Sequence, residues 1–456
     1  MKQSKNSNLD IRLDRALLLG LELYQQSDDL EDSLDELALL ADTAGVEVVG
    51  RLTQRKQKID PGLYVGKGKA QEAAEFIIQY NVDLLIVDDD LKPAQQRNLE
   101  KIVDVRVIDR TELILSIFAW RARTHQAKVQ VELAQMNYSL PRLRKMWTHL
   151  TSEQERAATG IMGGAGERQI ELDRRMIRHR ISDLKRELLQ IRKQKSRSMS
   201  NRDELFTVAL VGYTNAGKST LMNTLTDANV FVEDKLFATL DTRTRIWKLA
   251  PGHRCLLSDT VGFIRKLPHH LIEAFNATLQ EAMTADFLLH VVDCSSNSVE
   301  KHIAAAQEVL ERIDSQDIAS LIVFNKVDLL EANVDASKKL DVLQTLYSQS
   351  IAVSAKSGFG VEALKNRILL ELRKSWISGK MQIHHGNGKL IGILKDETEI
   401  LHEEYKENFV EFEVFFDPRI IRKIEEARFK TDILDYKKPK SMKDRESKHD
   451  FFVPPK

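Results

Sequence analysis

Eight consecutive residues, Gly212, Tyr213, Thr214, Asn215, Ala216, Gly217, Lys218 and Ser219, fit the pattern G-x-x-x-x-G-K-[ST]. In such a loop the glycines let the backbone fold round a polyphosphate, so that successive N–H groups and the start of the next helix face the anion. Lys218 then reaches the β and γ oxygens, the Ser219 hydroxyl ligates Mg2+, and Thr220 follows on the helix. Asp259, Thr260, Val261 and Gly262 close an apolar run. They offer a carboxylate to hold the metal through water and a glycine amide to sense the γ-phosphate. Asn325, Lys326, Val327 and Asp328 end another apolar run. The Asp328 carboxylate can accept from both N1–H and the 2-amino group of guanine. Adenine cannot satisfy it, and an unpaired buried carboxylate is costly, so discrimination is expected to be strong. Ser354, Ala355 and Lys356 supply a last loop, in which the Ala355 amide is expected to meet the guanine oxygen. These four elements, in this order, predict a site for GTP and GDP.

Between the phosphate loop and Asp259 a switch segment must bring a threonine to the metal. The run Phe237, Ala238, Thr239, Leu240, Asp241 offers Thr239, with Thr242 and Thr244 as competitors. After Gly262 stands Phe263, where many GTPases use a glutamine to orient the attacking water. A phenyl ring cannot do that, which leaves Lys218, Thr239 and Gly262 as transition-state support. Unaided hydrolysis is therefore expected to be slow, with a partner, an ordered switch or K+ near Asn215 supplying the missing organisation.

These loops need strands and helices to hold them. The apolar run Leu205 to Val211 leads into the phosphate loop and a helical run from Thr220 to Leu225 leaves it, opening a βαβ pattern assigned to a GTPase domain over residues 201–376. Over residues 1–110 strand-like runs at Ala16 to Leu19, Val46 to Val49, Leu84 to Val87 and Val105 to Ile108 alternate with helical stretches at Leu30 to Leu40 and Ala70 to Tyr80. That alternation predicts a small α/β sheet. Over residues 111–200, Ala122, Val129, Leu133, Met136 and Leu140, then Ile177, Ile181, Leu184, Leu188 and Ile191, recur at helical spacing. They predict an antiparallel hairpin with a long tip. Residues 377–456 read as a small α+β domain, with strand-like runs at Leu390 to Leu394 and Val410 to Phe416 and a disordered lysine-rich tail from Lys437 to Lys448. The expected fold class is thus α/β multidomain: a P-loop GTPase domain preceded by a small α/β domain and a helical hairpin, and followed by a small α+β domain.

Charge points to a partner. The 456 residues carry no net charge, yet residues 121–200 hold 18 Lys and Arg against 8 Asp and Glu, an excess of +10. Such a basic element suits a polyanion. Arg142, Arg144, Lys145 and Trp147 combine positive charge with an aromatic that can stack on an unpaired base, and Arg174, Arg175, Arg178 and Arg180 extend the surface along the second helix. The plainer alternative is a solvated face whose arginines pair with nearby acids. Two cysteines, Cys255 and Cys294, are too few for a disulfide framework or a four-ligand zinc site, which fits a reducing cytoplasm. Residues Met1 to Asp14 show no secretory pattern, and no apolar run suits a membrane span. Gly66, Lys67, Gly68 and Lys69 read as a strand-to-helix join, Asp88, Asp89 and Asp90 as a solvated loop, and the pairs His269, His270 and His384, His385 as no metal site.

Taken together, Gly212 to Thr220, Leu236 to Asp241, Asp259 to Ile264, Gly163 to Arg175 and Tyr64 to Lys69 resemble the HflX family within the Obg-like group of translation-related GTPases. The resemblance favours Thr239 as the Mg2+ ligand. It also implies binding of the GTP form to RNA of the large (50S) ribosomal subunit, in splitting or rescue of stalled ribosomes or in subunit assembly. Ala165 and Arg168 depart from the family's usual proline and threonine. A monomer with no DNA partner is expected. The rival expectations are an ATP-dependent RNA-remodelling enzyme working through the N-terminal domain and a GTP-dependent regulatory adaptor without RNA.

Overall fold

The computed structural model describes residues 11, 14–24, 30–143, 163–199, 205–226, 236, 237, 239, 240, 242–250, 253–266, 282–330 and 334–436, with side chains 163–170, 192, 195–199 and 334–337 excepted. Ala238, Asp241, Arg144, Lys145, Trp147, His269, His270 and the tail from Lys437 lie outside the described residues.

The first unit is a parallel sheet of β1 (Arg15–Leu23), β2 (Glu47–Lys56), β3 (Leu84–Val87) and β4 (Arg106–Asp109), in the order β2-β1-β3-β4. Around it lie α1 (Leu30–Thr43), α2 (Lys67–Tyr80), α3 (Pro93–Val103) and α4 (Arg110–Arg121). Strand β1 is buried on both faces, with Ala16 and Leu18 in one apolar cluster and Leu17, Leu19 and Leu21 in another. This is the period-2 consequence of a central parallel strand covered by helices on either side. The Gly66 N–H donates to Gln54 Oε1 at 2.8 Å just before α2, so the glycine-lysine run ties strand β2 to a helix start.

Helices α5 (His125–Ser139) and α6 (Gly163–Met199) pack through Val129 and Leu133 against Leu184 and Leu188. Ala122, read above as part of the hairpin, instead ends α4 and is buried with the first unit; Thr124 caps α5 by accepting from the Ala127 N–H at 3.2 Å. Helical spacing alone does not show the break between two consecutive helices.

The nucleotide-site unit is a six-stranded sheet in the order β10-β9-β8-β5-β7-β6. Its strands are β5 (Phe206–Val211), β6 (Arg243–Ala250), β7 (His253–Asp259), β8 (Phe287–Asp293), β9 (Ser320–Asn325) and β10 (Ser350–Ala352). Only β6 runs antiparallel. Helices α7 (Lys218–Thr226), α8 (Val299–Arg312), α9 (Val334–Leu346) and α10 (Val361–Arg373) belong to the same unit. Asp259, Asn325 and the phosphate loop all leave carboxyl ends of parallel strands, the edge where open α/β sheets bind ligands.

The last unit is an antiparallel sheet, β12-β13-β11-β14, built from β11 (Ile377–His384), β12 (Glu399–Tyr405), β13 (Phe409–Phe416) and β14 (Ile433–Tyr436), with α11 (Gly388–Glu397) and α12 (Ile421–Ala427). Leu390 to Leu394 is helix rather than strand. Asn387 caps it by accepting from the Leu390 N–H, and Leu390 and Leu394, four apart, are both fully buried. A short apolar run cannot be assigned by periodicity alone.

Candidate functional site

Backbone geometry dictates the loop glycines. Gly212 has φ of +141° with the Val291 carbonyl 2.2 Å from where a Cβ would stand, and Gly217 has φ of +87° with Asn325 Nδ2 2.3 Å from that position. No side chain fits either place. Buried Lys218 donates to the carbonyls of Gly212 at 3.1 Å and Tyr213 at 2.8 Å. Burial pulls its ammonium down to about 8.

Beside it three oxygens converge. Ser219 Oγ donates to Asp259 Oδ2 at 2.6 Å, Thr239 Oγ1 donates to the same oxygen at 3.1 Å, and the two hydroxyls are 2.8 Å apart. Asp259 Oδ1 is buried with no hydrogen-bond partner, and burial pushes the carboxyl above its usual range. A set of hard oxygens around a buried, undersatisfied carboxylate suits Mg2+. Of the competing threonines, Thr244 pairs with Ser258 at 3.0 Å between β6 and β7, whereas Thr239 is brought to Ser219.

The segment after Asp259 is stitched to the phosphate loop. The Thr214 N–H donates to Phe263 O at 2.7 Å, and the Phe263 N–H donates to Gly212 O at 3.0 Å. A Cβ on Gly262 would stand 2.8 Å from Thr214 Cα and 2.9 Å from Lys218 Nζ. The Phe263 ring is buried with Ala209, Val211 and Leu288. It packs the core, so the position often given to a water-orienting glutamine presents no polar group. Thr260 donates to Leu210 O at 2.7 Å, and Val261 is buried.

At the base end, Asn325 Nδ2 donates to Ala216 O at 2.9 Å and its Oδ1 accepts from the Ala355 N–H at 3.0 Å. Ser354 Oγ donates to Asp328 Oδ1 at 2.6 Å, which aims the carboxylate. Lys326, at φ of +67°, pairs with Asp293 at 2.8 Å. Sequence reading missed Asp293, whose signal was an acid ending an apolar strand. The side chains of Phe237, Leu240 and Val327 are buried in apolar clusters, so only their backbones are available to a nucleotide. Asn215 and Lys356 are exposed.

The basic residues divide. Arg142 does not extend a basic surface: it donates to buried Asp109 at 3.0 Å and to Leu91 O at 2.7 Å, and lies 3.6 Å over the Tyr138 ring. The buried acid outcompetes any outside anion because it would otherwise be unpaired. Arg180 forms a two-pronged pair with Glu132. Arg175 and Arg178 are exposed and Arg174 half-exposed along α6. Asp88, expected in a solvated loop, is fully buried and holds Arg110 at 2.8 Å and Lys266 at 2.6 Å.

A phosphate loop at a strand end, with the Asp259–Gly262 and Asn325–Asp328 segments beside it, defines a P-loop GTPase. Three family models match the chain: GTP-binding GTPase N-terminal over residues 31–119, GTP-binding GTPase Middle Region over 121–202, and 50S ribosome-binding GTPase over 207–326. The chain is 43% identical over 415 residues to the GTPase HflX of Magnetococcus marinus, covering 90% of this chain and 94% of that one. To the GTPase HflX of Escherichia coli K12 it is 44% identical over 343 residues, 75% of this chain and 79% of that one. A solved GTP-binding protein from Sulfolobus solfataricus in complex with GDP is 23% identical, with a TM-score of 0.42 over 79% of this chain and 99% of that one, too slight a likeness to bear weight. The chain belongs to the HflX family of GTPases, and its activity is hydrolysis of GTP.

Proposed function

We propose that this GTPase is a nucleotide-controlled switch that holds RNA of the large ribosomal subunit in its GTP form and releases it after hydrolysis, in ribosome splitting or rescue or in subunit assembly. The observation that carries the switch is the meeting of Thr239 and Gly262, from two separate segments, at one phosphate loop. Ser219 and Thr239 would hold Mg2+ directly and Asp259 through water, and the ion would neutralise charge on the phosphates during transfer. Lys218 would hold the β and γ oxygens, and the Gly262 amide the γ-phosphate. Asp328 would read guanine, and Asn325, which accepts from the Ala355 N–H, would brace the loop beside the ring. Since Phe263 faces the core, hydrolysis would be slow until a partner, or K+ beside exposed Asn215, organises the water.

Exposed Arg175 and Arg178 on α6, and the name of the matched 50S ribosome-binding model, support an RNA partner. Asp88, Asp89 and Asp109 crowd the strand ends of the first sheet and are met there by Arg110, Lys266 and Arg142. The cations at this edge are already engaged by these acids, two of them buried, and are not available to a polyphosphate, which weighs against the ATP-dependent reading. Among the described residues no helix is long and apolar enough to cross a membrane. A cytoplasmic monomer fits this role. Charge reversal by Arg175→Glu with Arg178→Glu should abolish pelleting with isolated large subunits and leave GTP affinity unchanged. Equal pelleting of the double variant would remove the assigned RNA face.

A further inference from the structure

Both segments that meet the phosphate loop are docked on the first unit. Leu236, Phe237 and Leu240, which flank Thr239, are buried in one apolar cluster with Ile114 and Phe118 of α4 and Ala134 and Tyr138 of α5. The Phe118 and Phe237 rings meet edge to face, with centroids 4.6 Å apart. On the other segment Lys266 pairs with Asp88 at 2.6 Å and Asp89 at 2.7 Å. The Arg265 N–H donates to the Tyr213 hydroxyl at 2.8 Å, and that hydroxyl donates to buried Glu36 at 2.5 Å. Glu36 and Asp88 are in turn bridged by Arg110.

Each segment also carries a non-glycine residue in the left-handed region at its docking point, Phe237 at φ of +54° and Lys266 at φ of +55°. Neither residue type favours that conformation by itself, so tertiary contact must hold it.

We propose that Phe118 and the Asp88–Asp89 pair are positioning residues for GTP hydrolysis: Phe118 sets Thr239 through Phe237, and the two acids set Gly262 through Lys266. Without the Phe118 ring the turn at Phe237 would lose its edge-to-face partner, and Thr239 would be held less firmly beside Ser219. Loss of the Lys266 pair would leave the segment after Gly262 held only through Phe263 and Arg265. The first unit thereby belongs to the hydrolytic apparatus without touching nucleotide. This rests on the assignment of Thr239 and Gly262 proposed above.

The test compares Phe118→Ala, Phe118→Leu, Lys266→Ala, Lys266→Arg and Thr239→Ala in the full chain. It measures kcat, the Mg2+ concentration for half-maximal rate, and GDP affinity without Mg2+. Phe118→Ala should lower kcat by about 10-fold or more and raise the Mg2+ requirement several-fold, since small misplacements cost up to about 100-fold. Lys266→Ala should lower kcat with the Mg2+ requirement unchanged. GDP affinity without Mg2+ should stay within about twofold, and Phe118→Leu and Lys266→Arg should recover most of the rate. Unchanged kcat in both alanine variants, or a fall matched by an equal loss of Mg2+-free GDP affinity, would overturn the proposal. Thr239→Ala separates the two layers. If it too keeps its rate and Mg2+ requirement, the assignment of Thr239 fails; if it alone loses them, the positioning roles of Phe118 and of the Asp88–Asp89 pair fail while the assignment of Thr239 stands.

Discussion

Asn325 donates through Nδ2 to the carbonyl of Ala216 at 2.9 Å. With its other end it accepts from the Ala355 N–H, so one buried amide joins the phosphate loop to the guanine loop. Asn325→Ala strands both backbone groups, each at about 1–3 kcal/mol. Equilibrium titration with fluorescent GDP should show affinity lower by at least about 10-fold. Unaltered binding would mean that the two loops hold their places independently.

Asp328→Asn tests the base reading. The amide can accept from N1–H but must donate to whatever stands at position 2, which suits the oxygen of xanthine and not the amino group of guanine. Competition assays should show GTP affinity reduced by a factor on the order of 10^4 and xanthosine triphosphate favoured instead. Retention of GTP preference would place guanine recognition elsewhere.

Gly262→Ala puts a Cβ within 3 Å of Thr214 and Lys218. Single-turnover hydrolysis should fall by about 100-fold while GDP binding persists, since GDP has no γ-phosphate for the amide to meet. A normal rate would dismiss the γ-phosphate role of that amide.

Lys218 titrates near 8 in the folded protein against 10.5 ordinarily. Between those limits the folded nucleotide-free chain binds fewer protons than the unfolded one, so this group makes stability rise with pH there. A bound polyphosphate favours the charged ammonium. GDP binding from about pH 7.5 to 8.5 should therefore take up a proton and weaken as pH rises. Calorimetry in buffers of different ionisation enthalpy measures that uptake, and its absence would contradict the buried lysine's role.

Arg142→Ala should unfold the protein more easily, by about 3–5 kcal/mol, because it leaves the Asp109 carboxylate buried without its cation. Burial already raises Asp109 to about 6, above its ordinary 3.8, so the folded chain binds more protons in that interval and loses stability as pH climbs through it. The variant's deficit in thermal unfolding should shrink at pH 5. A variant as stable as the parent at pH 7.5 would return Arg142 to the exposed basic surface.

The phosphate loop, Asp259, Gly262 and Asp328 were legible in sequence because each stands at a fixed local spacing at the end of an apolar strand. Thr239 could not be separated from Thr242 and Thr244 by spacing; its distinction comes from Phe237 and Leu240, whose burial depends on a helix more than 100 residues earlier. The same limit explains Arg142 and Asp88, which look solvated along the chain; partners far away in it leave Arg142 half-buried and Asp88 fully buried. At Phe263 the sequence shows a phenyl ring in place of a glutamine, while its place in the core was visible only from the fold.

The most direct test of the switch is co-sedimentation of the full chain with isolated large ribosomal subunits in the presence of Mg2+ with a non-hydrolysable GTP analogue, with GDP, or with no nucleotide. The account predicts pelleting with the analogue and its loss with GDP. Equal pelleting in all three conditions would contradict it.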